Sequence, residues 1–440
     1  MTRLLALLPL LFALTGSNPL PPPETVTAFV GVHVVPMDSE RVLENQTVLV
    51  RGTRIVAVGE AGAVRVPADA VRIDGQGRYL MPGLAEMHGH LLPPGADPAD
   101  VENLLFLYLA NGITTVRVML GFENSLELRA KTSRGELLGP TFYMAGPGFS
   151  GSTINSPEEA EARVRSQKAA GWDLLKVFPG LTREEYDAMA RTAHEVGIRF
   201  AGHVPADVGL RHALEMGQDT FDHLDGYVEY LGGDRGEIDD AQLAEVVRLT
   251  REAGAWVVPT MALWEYLFGV VEPETLQAYP ELQYMPPGQV EAWVENYRRR
   301  LASPDRDAAA AQRVIRNRMR ILRALHEGGA GILMGTDSPQ LFSVPGFSLH
   351  RELERMTAAG MTPYDVLRTG TYNVGAYFNG KDTFGTVAVG RRADLILLEG
   401  NPLESLDHLR RPAGVMVRGT WLPRETIQER LARIAAAYAR

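Results

Sequence analysis

The chain opens its apolar patterning with short runs rich in β-branched residues. Val26–Val35, Gln46–Val50 and Arg54–Val58 are broken by Gly and Asp turns and predict β-strands. From about residue 84 the pattern changes. Eight short apolar runs follow: Leu84–Met87, Thr114–Val118, Thr141–Ala145, Leu174–Phe178, Arg199–Gly202, Thr220–Asp222, Trp256–Pro259 and Ile332–Gly335. Helical patterns separate them, among them Val101–Ala110, Pro157–Ala170, Arg183–Glu195, Ala241–Ala253 and Ala308–His326. Strands alternating with helices predict an α/β chain with a parallel (β/α)8 TIM barrel, completed by helices near Gly346–Ala359 and Pro363–Tyr372. Strands then return at Gly385–Val389, Asp394–Leu398 and Val415–Arg418, and Ile427–Tyr438 reads as an amphipathic helix. The two terminal β segments are expected to meet in one small split β-sandwich. The expected organisation is a composite sandwich of residues 18–80 and 383–423, a barrel at 81–382 and a C-terminal helix at 424–440.

The first 17 residues stand apart. Arg3 precedes the apolar run Leu4–Leu14, and small and polar residues follow. That pattern predicts a secretory signal peptide and a periplasmic or secreted protein. The run is too short for a membrane span, which needs about 20 apolar residues, so no membrane anchor is expected. Pro19–Pro23 reads as a stiff tether.

Composition narrows the chemistry. Apolar residues make up 45% and charged residues 22% of the 440, ordinary globular usage. The net charge of −10 disfavours a nucleic-acid partner or an anionic membrane surface. There is no cysteine, which excludes disulfides, thiol catalysis and Cys-ligated metal. The basic crowd Arg298–Arg300, Arg313, Arg316, Arg318, Arg320 and Arg323 reads as a solvated helix face on an acidic protein.

Active-site residues of a barrel sit at the C-terminal ends of its strands. Here those ends carry His88 and His90, Lys176, His203, His223 and Asp337. Two histidines at i and i+2 on an extended segment project to the same side and can share one ion. Each group also has a plainer reading. Lys176 in an apolar strand needs a buried carboxylate such as Asp222 or Asp337, or a modification, because an unpaired buried charge is costly. Taken together, nitrogen and oxygen donors on five strand ends suit Zn²⁺ or a similar divalent ion. His194, His212 and His326 read as solvent-facing, His33 and His408 belong to the sandwich region, and His350 follows the eighth strand.

These motifs carry a resemblance. Met81-Pro82-Gly83-Leu84 leading into His88 and His90, together with Gly390-Arg391-Arg392-Ala393-Asp394-Leu395 and Glu399-Gly400-Asn401-Pro402-Leu403, resembles the amidohydrolase superfamily of metal-dependent hydrolases. The context Gly171-Trp172-Asp173-Leu174-Leu175-Lys176-Val177 is similar to the secreted binuclear branch close to imidazolonepropionase-like proteins and Xaa-Pro dipeptidases. The resemblance implies two divalent metal ions, zinc being the natural choice. His88, His90 and Asp337 would hold one, His203 and His223 the second, and a CO₂-carboxylated Lys176 would bridge them. It implies a metal-bridged hydroxide attacking a carbonyl, with Asp337 taking the proton and passing it to the leaving amine. Two departures stand out: Val118 and Met119 follow Arg117 where many relatives have Asp, and no His lies in Gly146–Ser150.

Loops after strands six to eight supply Tyr227, Tyr230, Trp264, Tyr266, Phe268 and Phe342, which predict an aromatic-lined cleft. Tyr227 is the candidate donor to a substrate carbonyl or carboxylate, with Tyr230, Trp264 and Phe342 as further substrate contacts. The expected activity is hydrolysis of an amide bond in a small dipeptide-like or N-acyl amino acid substrate with an apolar or aromatic side chain, in a chain able to form a homo-oligomer. The alternatives are a lactone or ester hydrolase, a mononuclear deaminase or cyclic-amidine hydrolase, and a non-catalytic binding protein.

Overall fold

The computed structural model describes residues 25–439, so the predicted signal segment lies outside the described residues. The first strands are β1 (Val26–Val34), β2 (Leu43–Arg51), β3 (Arg54–Glu60), β4 (Val71–Asp74) and β5 (Tyr79–Pro82). Eight strands alternating with helices follow: β6 (Leu84–Gly89), β7 (Ile113–Val118), β8 (Thr141–Met144), β9 (Leu174–Val177), β10 (Arg199–Gly202), β11 (Thr220–Asp222), β12 (Trp256–Val258) and β13 (Gly331–Ile332). The chain ends with β14 (Leu395–Leu398), β15 (Gly414–Val417), β16 (Thr420–Pro423) and the helix Arg424–Tyr438.

The terminal segments meet in one mixed sheet of order β16-β15-β14-β5-β1-β2-β3, with β4 also on β1. The seam is β5 against β14, antiparallel, with Met81 opposite Ile396. Alternate residues turn Phe29, Val34, Val48, Leu80, Leu395 and Met416 into one apolar cluster. The remaining strands are all parallel, β6-β7-β8 in one sheet and β9 to β13 in the other. Parallel bridges Ala145–Leu174 and Phe149–Val177 continue β8 into β9. Backbone bonds from Met87 N to Met334 O (2.8 Å) and from Asp337 N to His88 O (2.7 Å) link the end of the β13 segment to β6. β6 and β7 are buried along their whole length, as expected for strands covered on both faces.

The helices between these strands begin and end where local chemistry dictates. Ser156 caps the helix Pro157–Ala170, with Pro157 in its first turn, and left-handed Gly171 ends it. Thr182 and Glu185 form a capping box on Arg183–Val196. The long segment after β12 holds the α-helices Met261–Leu267, Pro273–Gln277 and Pro287–Leu301 and a 3-10 helix at Pro280–Tyr284, before Ala308–Glu327 returns the chain to β13.

Two expectations fail. Gly385–Val389 is not a strand. Val387 N donates to Pro36 O, just past the end of β1, and no ladder forms along the segment. Arg318 is not on a solvated face: it is 2% exposed. Val314, Arg318, Ile321 and Leu325 share the inward stripe of their helix, so the helical period buries the guanidinium.

Candidate metal centre

All six residues singled out for metal converge at the C-terminal ends of the parallel strands. His88 ends β6 and His90 follows it, with ring centroids 5.4 Å apart. Asp337, beyond β13, sits against three imidazoles. His90 Nε2 lies 2.7 Å and His88 Nε2 3.5 Å from its Oδ1, and His223 Nε2 lies 3.6 Å from its Oδ2. One ligand atom from each of His88, His90 and Asp337 fits within 4.8 Å of the others. The His223 ring is 4.5 Å from that of His88 and 4.8 Å from that of His203. Lys176 reaches up from β9, with Nζ 3.4 Å from His88 Nε2.

The backbone is bent to deliver them. His223 (φ +64°) and Asp337 (φ +61°) both occupy the left-handed region, which side chains other than Gly rarely adopt and which costs energy. Gly202, just before His203, has φ +129°, and a Cβ there would meet Val177 O at 2.4 Å and Lys176 Cδ at 2.9 Å. Only glycine lets β10 pass that close to the lysine.

A second tier aims the rings. His88 Nδ1 lies 3.0 Å from Asp222 Oδ2, His203 Nδ1 lies 2.6 Å from Asp225 Oδ2, and His223 Nδ1 lies 2.7 Å from Thr260 Oγ1. Carboxylates accept only, so in a neutral ring His203 carries its proton on Nδ1 and exposes its Nε2 lone pair. His88 Nδ1, though 3.0 Å from Asp222, has no aligned hydrogen-bond partner among the described residues, and His88 Nε2 lies near both Lys176 Nζ and Asp337 Oδ1. A cation among these rings and Asp337 would take their ring nitrogens and the carboxylate at once. The donors, imidazole nitrogen and carboxylate oxygen, match a divalent transition ion.

Electrostatics point the same way. Burial, helped by the positive charge of Lys176, lowers the His88 imidazole to about 4. Burial and the neighbouring His88 push His223 well below its ordinary value, so both rings are neutral at pH 7. Burial alone would raise the Asp337 carboxyl, but His88, His90 and His223 outweigh it and hold it well below the usual carboxylate range. Lys176 has the buried carboxylate its position demanded. Its Nζ is 3.2 Å from Asp222 Oδ2, and Arg117 Nη2 is 3.3 Å from Oδ1 of the same residue.

The aromatic expectations divide. Trp264 is beside the centre, its ring 6.1 Å from that of His223 and 5.6 Å from that of Phe268. Tyr227 is a correction. It is fully buried, its ring is edge-on to Phe221, and its hydroxyl pairs with Thr250 Oγ1 at 2.9 Å, a packing role that leaves no hydroxyl for substrate. Tyr230 takes a hydrogen bond from Arg211, which also pairs with the exposed Glu245. Phe342 is also corrected: it is 1% exposed, packed against Trp293 and Tyr297 in a separate apolar cluster. His350 is buried away from the centre, with Nε2 3.2 Å from Asn111 Oδ1.

Sequence reasoning missed four supporting groups. Glu86, two residues before His88, is fully buried and accepts from His88 N (2.9 Å), Thr336 N (2.8 Å) and Thr336 Oγ1 (2.6 Å), tying the first and last ligand segments together. Asp225 and Thr260 orient His203 and His223 as described. Arg318 donates to the His223 carbonyl and stacks its guanidinium 3.9 Å from the Trp264 ring centre. Asp225 lay two residues past His223, and Arg318 stood on an apolar stripe. Both spacings were visible signals.

Parallel strands that gather buried histidines and one aspartate at a single end define the α/β class with a metal-ligand cluster on the strand termini. The chain matches the amidohydrolase family over residues 79–422 and belongs to that family. It is 22% identical to the ochratoxinase of Aspergillus niger over 457 aligned positions, covering 89% of this chain and 84% of the relative. A short match to the imidazolonepropionase of Stenotrophomonas maltophilia, 35% identical over 81 residues, takes in 18% of this chain and only 20% of that protein. Among solved structures, bottromycin amidohydrolase superposes with a TM-score of 0.76 at 25% identity, covering 94% of this chain and 90% of that one. A Xaa-Pro dipeptidase with bound methionine superposes with a TM-score of 0.70 at 20% identity, over 91% of this chain and all of the other (100%).

Proposed function

We propose that this protein is a metal-dependent hydrolase that cleaves an amide bond in a dipeptide-like or N-acyl amino acid substrate. The observation that carries the reading is the convergence of His88, His90, His203, His223, Lys176 and Asp337 on one point. Amide-cleaving relatives, the Xaa-Pro dipeptidase and bottromycin amidohydrolase among the similar structures, favour amide over ester or lactone. The fold reading goes with it. Bonds joining β8 to β9 and the β13 segment to β6 support a closed (β/α)8 barrel over residues 81–382. The mixed sheet supports a split sandwich of 18–80 and 383–423. Residues 1–17 would be a signal peptide and the mature chain periplasmic or secreted.

His88, His90 and Asp337 would hold one divalent ion, His203 and His223 a second, with Lys176 as a carboxylated bridge between them. Ions bound there supply Lewis acidity toward a carbonyl and make water acidic enough to react at neutral pH. The protein's own groups do the rest. The three imidazoles hold Asp337 below the usual carboxylate range, and its carboxylate can take a proton and return it to the leaving nitrogen. Asp225 keeps His203 in one tautomer, and Asp222 and Thr260 stand against the rings of His88 and His223 and hold them in place. Trp264 gives the substrate an aromatic wall.

The test is metal analysis joined to a substrate panel. About two equivalents of zinc per chain, lost in Lys176→Ala and partly regained with a short carboxylic acid, support the binuclear reading. One ion indifferent to Lys176 overturns it in favour of a mononuclear deaminase. A panel of dipeptides, N-acyl amino acids, esters and lactones then decides the bond.

A further inference from the structure

His223 is held from three directions. Its N–H donates to Val258 O at the end of β12 (2.8 Å), Arg318 donates to its carbonyl, and its ring Nδ1 lies 2.7 Å from Thr260 Oγ1. The third contact is the one that fixes the rotation of the ring. It draws on a strained residue. Thr260 has φ +46°, a left-handed conformation that a β-branched side chain rarely adopts, and such strain persists only where the surroundings hold it. Thr260 also stands immediately before the helix Met261–Leu267, where a threonine hydroxyl ordinarily accepts a bond from the first turn. It makes no such bond here and faces His223 instead.

The missing acceptor comes from a distant part of the chain. Glu352, in the middle of the helix Ser348–Ala358, is fully buried and turns its carboxylate to the residues just after Thr260. Met261 N donates to its Oε1 (2.9 Å) and Ala262 N to its Oε2 (3.0 Å). Both partners are uncharged backbone groups, and a buried carboxylate held in this way is a costly means of capping a helix of seven residues. The cheaper cap, the adjacent threonine hydroxyl, is occupied by the imidazole. A second contact joins the same two helices: Arg355, one turn along from Glu352, clasps Glu265 at 2.8 and 2.7 Å. That contact lies beyond Trp264 in sequence and serves as the reference for a purely structural tie.

We propose that Glu352 is a positioning residue for the metal centre: by capping Met261 and Ala262 it holds Thr260 in its left-handed conformation and frees the threonine hydroxyl to set the His223 ring. Glu352 touches neither substrate nor metal and acts only through Thr260. The proposal rests on the reading of His223 as a metal ligand given above.

The experiment uses the full-length protein labelled with ¹⁵N in histidine, before and after zinc is added. The His223 ring resonances are assigned by their loss in His223→Asn. Glu352→Gln keeps the shape of the side chain but turns an amide N–H toward one of the two backbone donors. It should move the His223 ring nitrogens toward their positions in Thr260→Val. Arg355→Met should lower the denaturation midpoint and leave those resonances in place. Zinc titrated against a chelator should bind about tenfold more weakly in Glu352→Gln and in Thr260→Val, the usual worth of a group behind a ligand. The double variant should bind no more weakly than Thr260→Val alone, because the two act in series. Glu352→Asp, which keeps the charge and shortens the reach, gives the same readouts if the glutamine variant fails to fold. Unmoved His223 resonances, an equal shift in Arg355→Met, or losses that add in the double variant overturn the proposal. If zinc binds to none of these proteins but the His223 resonances respond as expected, the positioning role stands and the metal-dependent hydrolase reading falls.

Discussion

Two buried polar clusters sit at opposite ends of the parallel strands, and they differ in one respect. At the lower end, Arg392 Nη1 meets Asp382 Oδ2 at 2.5 Å, and its Nε meets Asp394 Oδ2 at 2.8 Å. Tyr143 donates to the same Asp382, and Arg418 N donates to Asp394. Every donor faces an acceptor. Burial alone would lower Arg392, but Asp394 and Asp382 hold it above its ordinary value. At the upper end, His88, His90 and His223 crowd the single carboxylate of Asp337, and His88 Nδ1 has no hydrogen-bond partner among the described residues. The lower cluster is complete in itself and acts as a clasp, joining β7 through Thr115 to the return of the terminal sheet. The upper cluster leaves a buried ring nitrogen unpartnered beside ligand types that could hold a cation. Self-satisfaction separates a structural polar network from a reactive one.

That contrast can be broken by exchanging rate for stability. The largest effect belongs to the upper cluster. Asp337→Asn should cost about 10²- to 10⁴-fold in kcat, the usual worth of a positioned acid–base group. Its thermal midpoint should stay near that of the wild type in calorimetry. Loss of fold instead would make Asp337 a structural residue. Asp394→Ala in the lower cluster should do the reverse, costing about 1 to 3 kcal/mol of stability because Arg392 keeps Asp382 but loses its second carboxylate and Arg418 N loses its acceptor. Urea denaturation measures it, and turnover per folded molecule should not change.

Glu352 sharpens the comparison with a pH signature. It is fully buried, accepts hydrogen bonds from Met261 N and Ala262 N, and burial raises it from 4.5 to about 7. A folded-state value above the unfolded one means the native state binds the proton more tightly. Its contribution is fully present below pH 4.5 and is lost as pH rises toward 7. The loss is on the order of 3 kcal/mol. Glu352→Gln should flatten that part of the stability–pH curve. A curve of unchanged slope between pH 4.5 and 7 would show that Glu352 titrates normally.

Tyr227→Phe carries the smallest effect. Removing the hydroxyl that pairs with Thr250 should cost about 1 kcal/mol, read as a shift in the denaturation midpoint. Steady-state rates on every substrate should match the wild type. A selective drop in kcat/KM would return Tyr227 to the substrate.

Much of the site was readable because the ligand types recur at strand ends and each strand announces itself by a short apolar run. Lys176 was conspicuous because an ammonium in such a run is costly. The aromatic lining was less readable. Tyr227 and Trp264 both follow ligand-bearing strands, yet one turns into the core against Phe221 and Thr250 and the other faces His223. Loop composition is alike for both outcomes. Arg318 was misjudged because its arginine neighbours suggested solvent, although its helical register with Val314, Ile321 and Leu325 placed it inside.

The sequence by itself determined the alternation of strands and helices, the identity of the six ligand candidates and the absence of any thiol chemistry. These follow from local periodicity and side-chain chemistry, which need no knowledge of distant neighbours. Tertiary structure alone decided which imidazoles crowd Asp337 and which carboxylate orients His203. It also decided that Arg318 supports His223 and that Arg392 closes the opposite end. Those facts depend on contacts between residues far apart in the chain, as in the bond from Arg392 to Thr115, 277 positions away. Packing and burial set such contacts, and no local pattern encodes them.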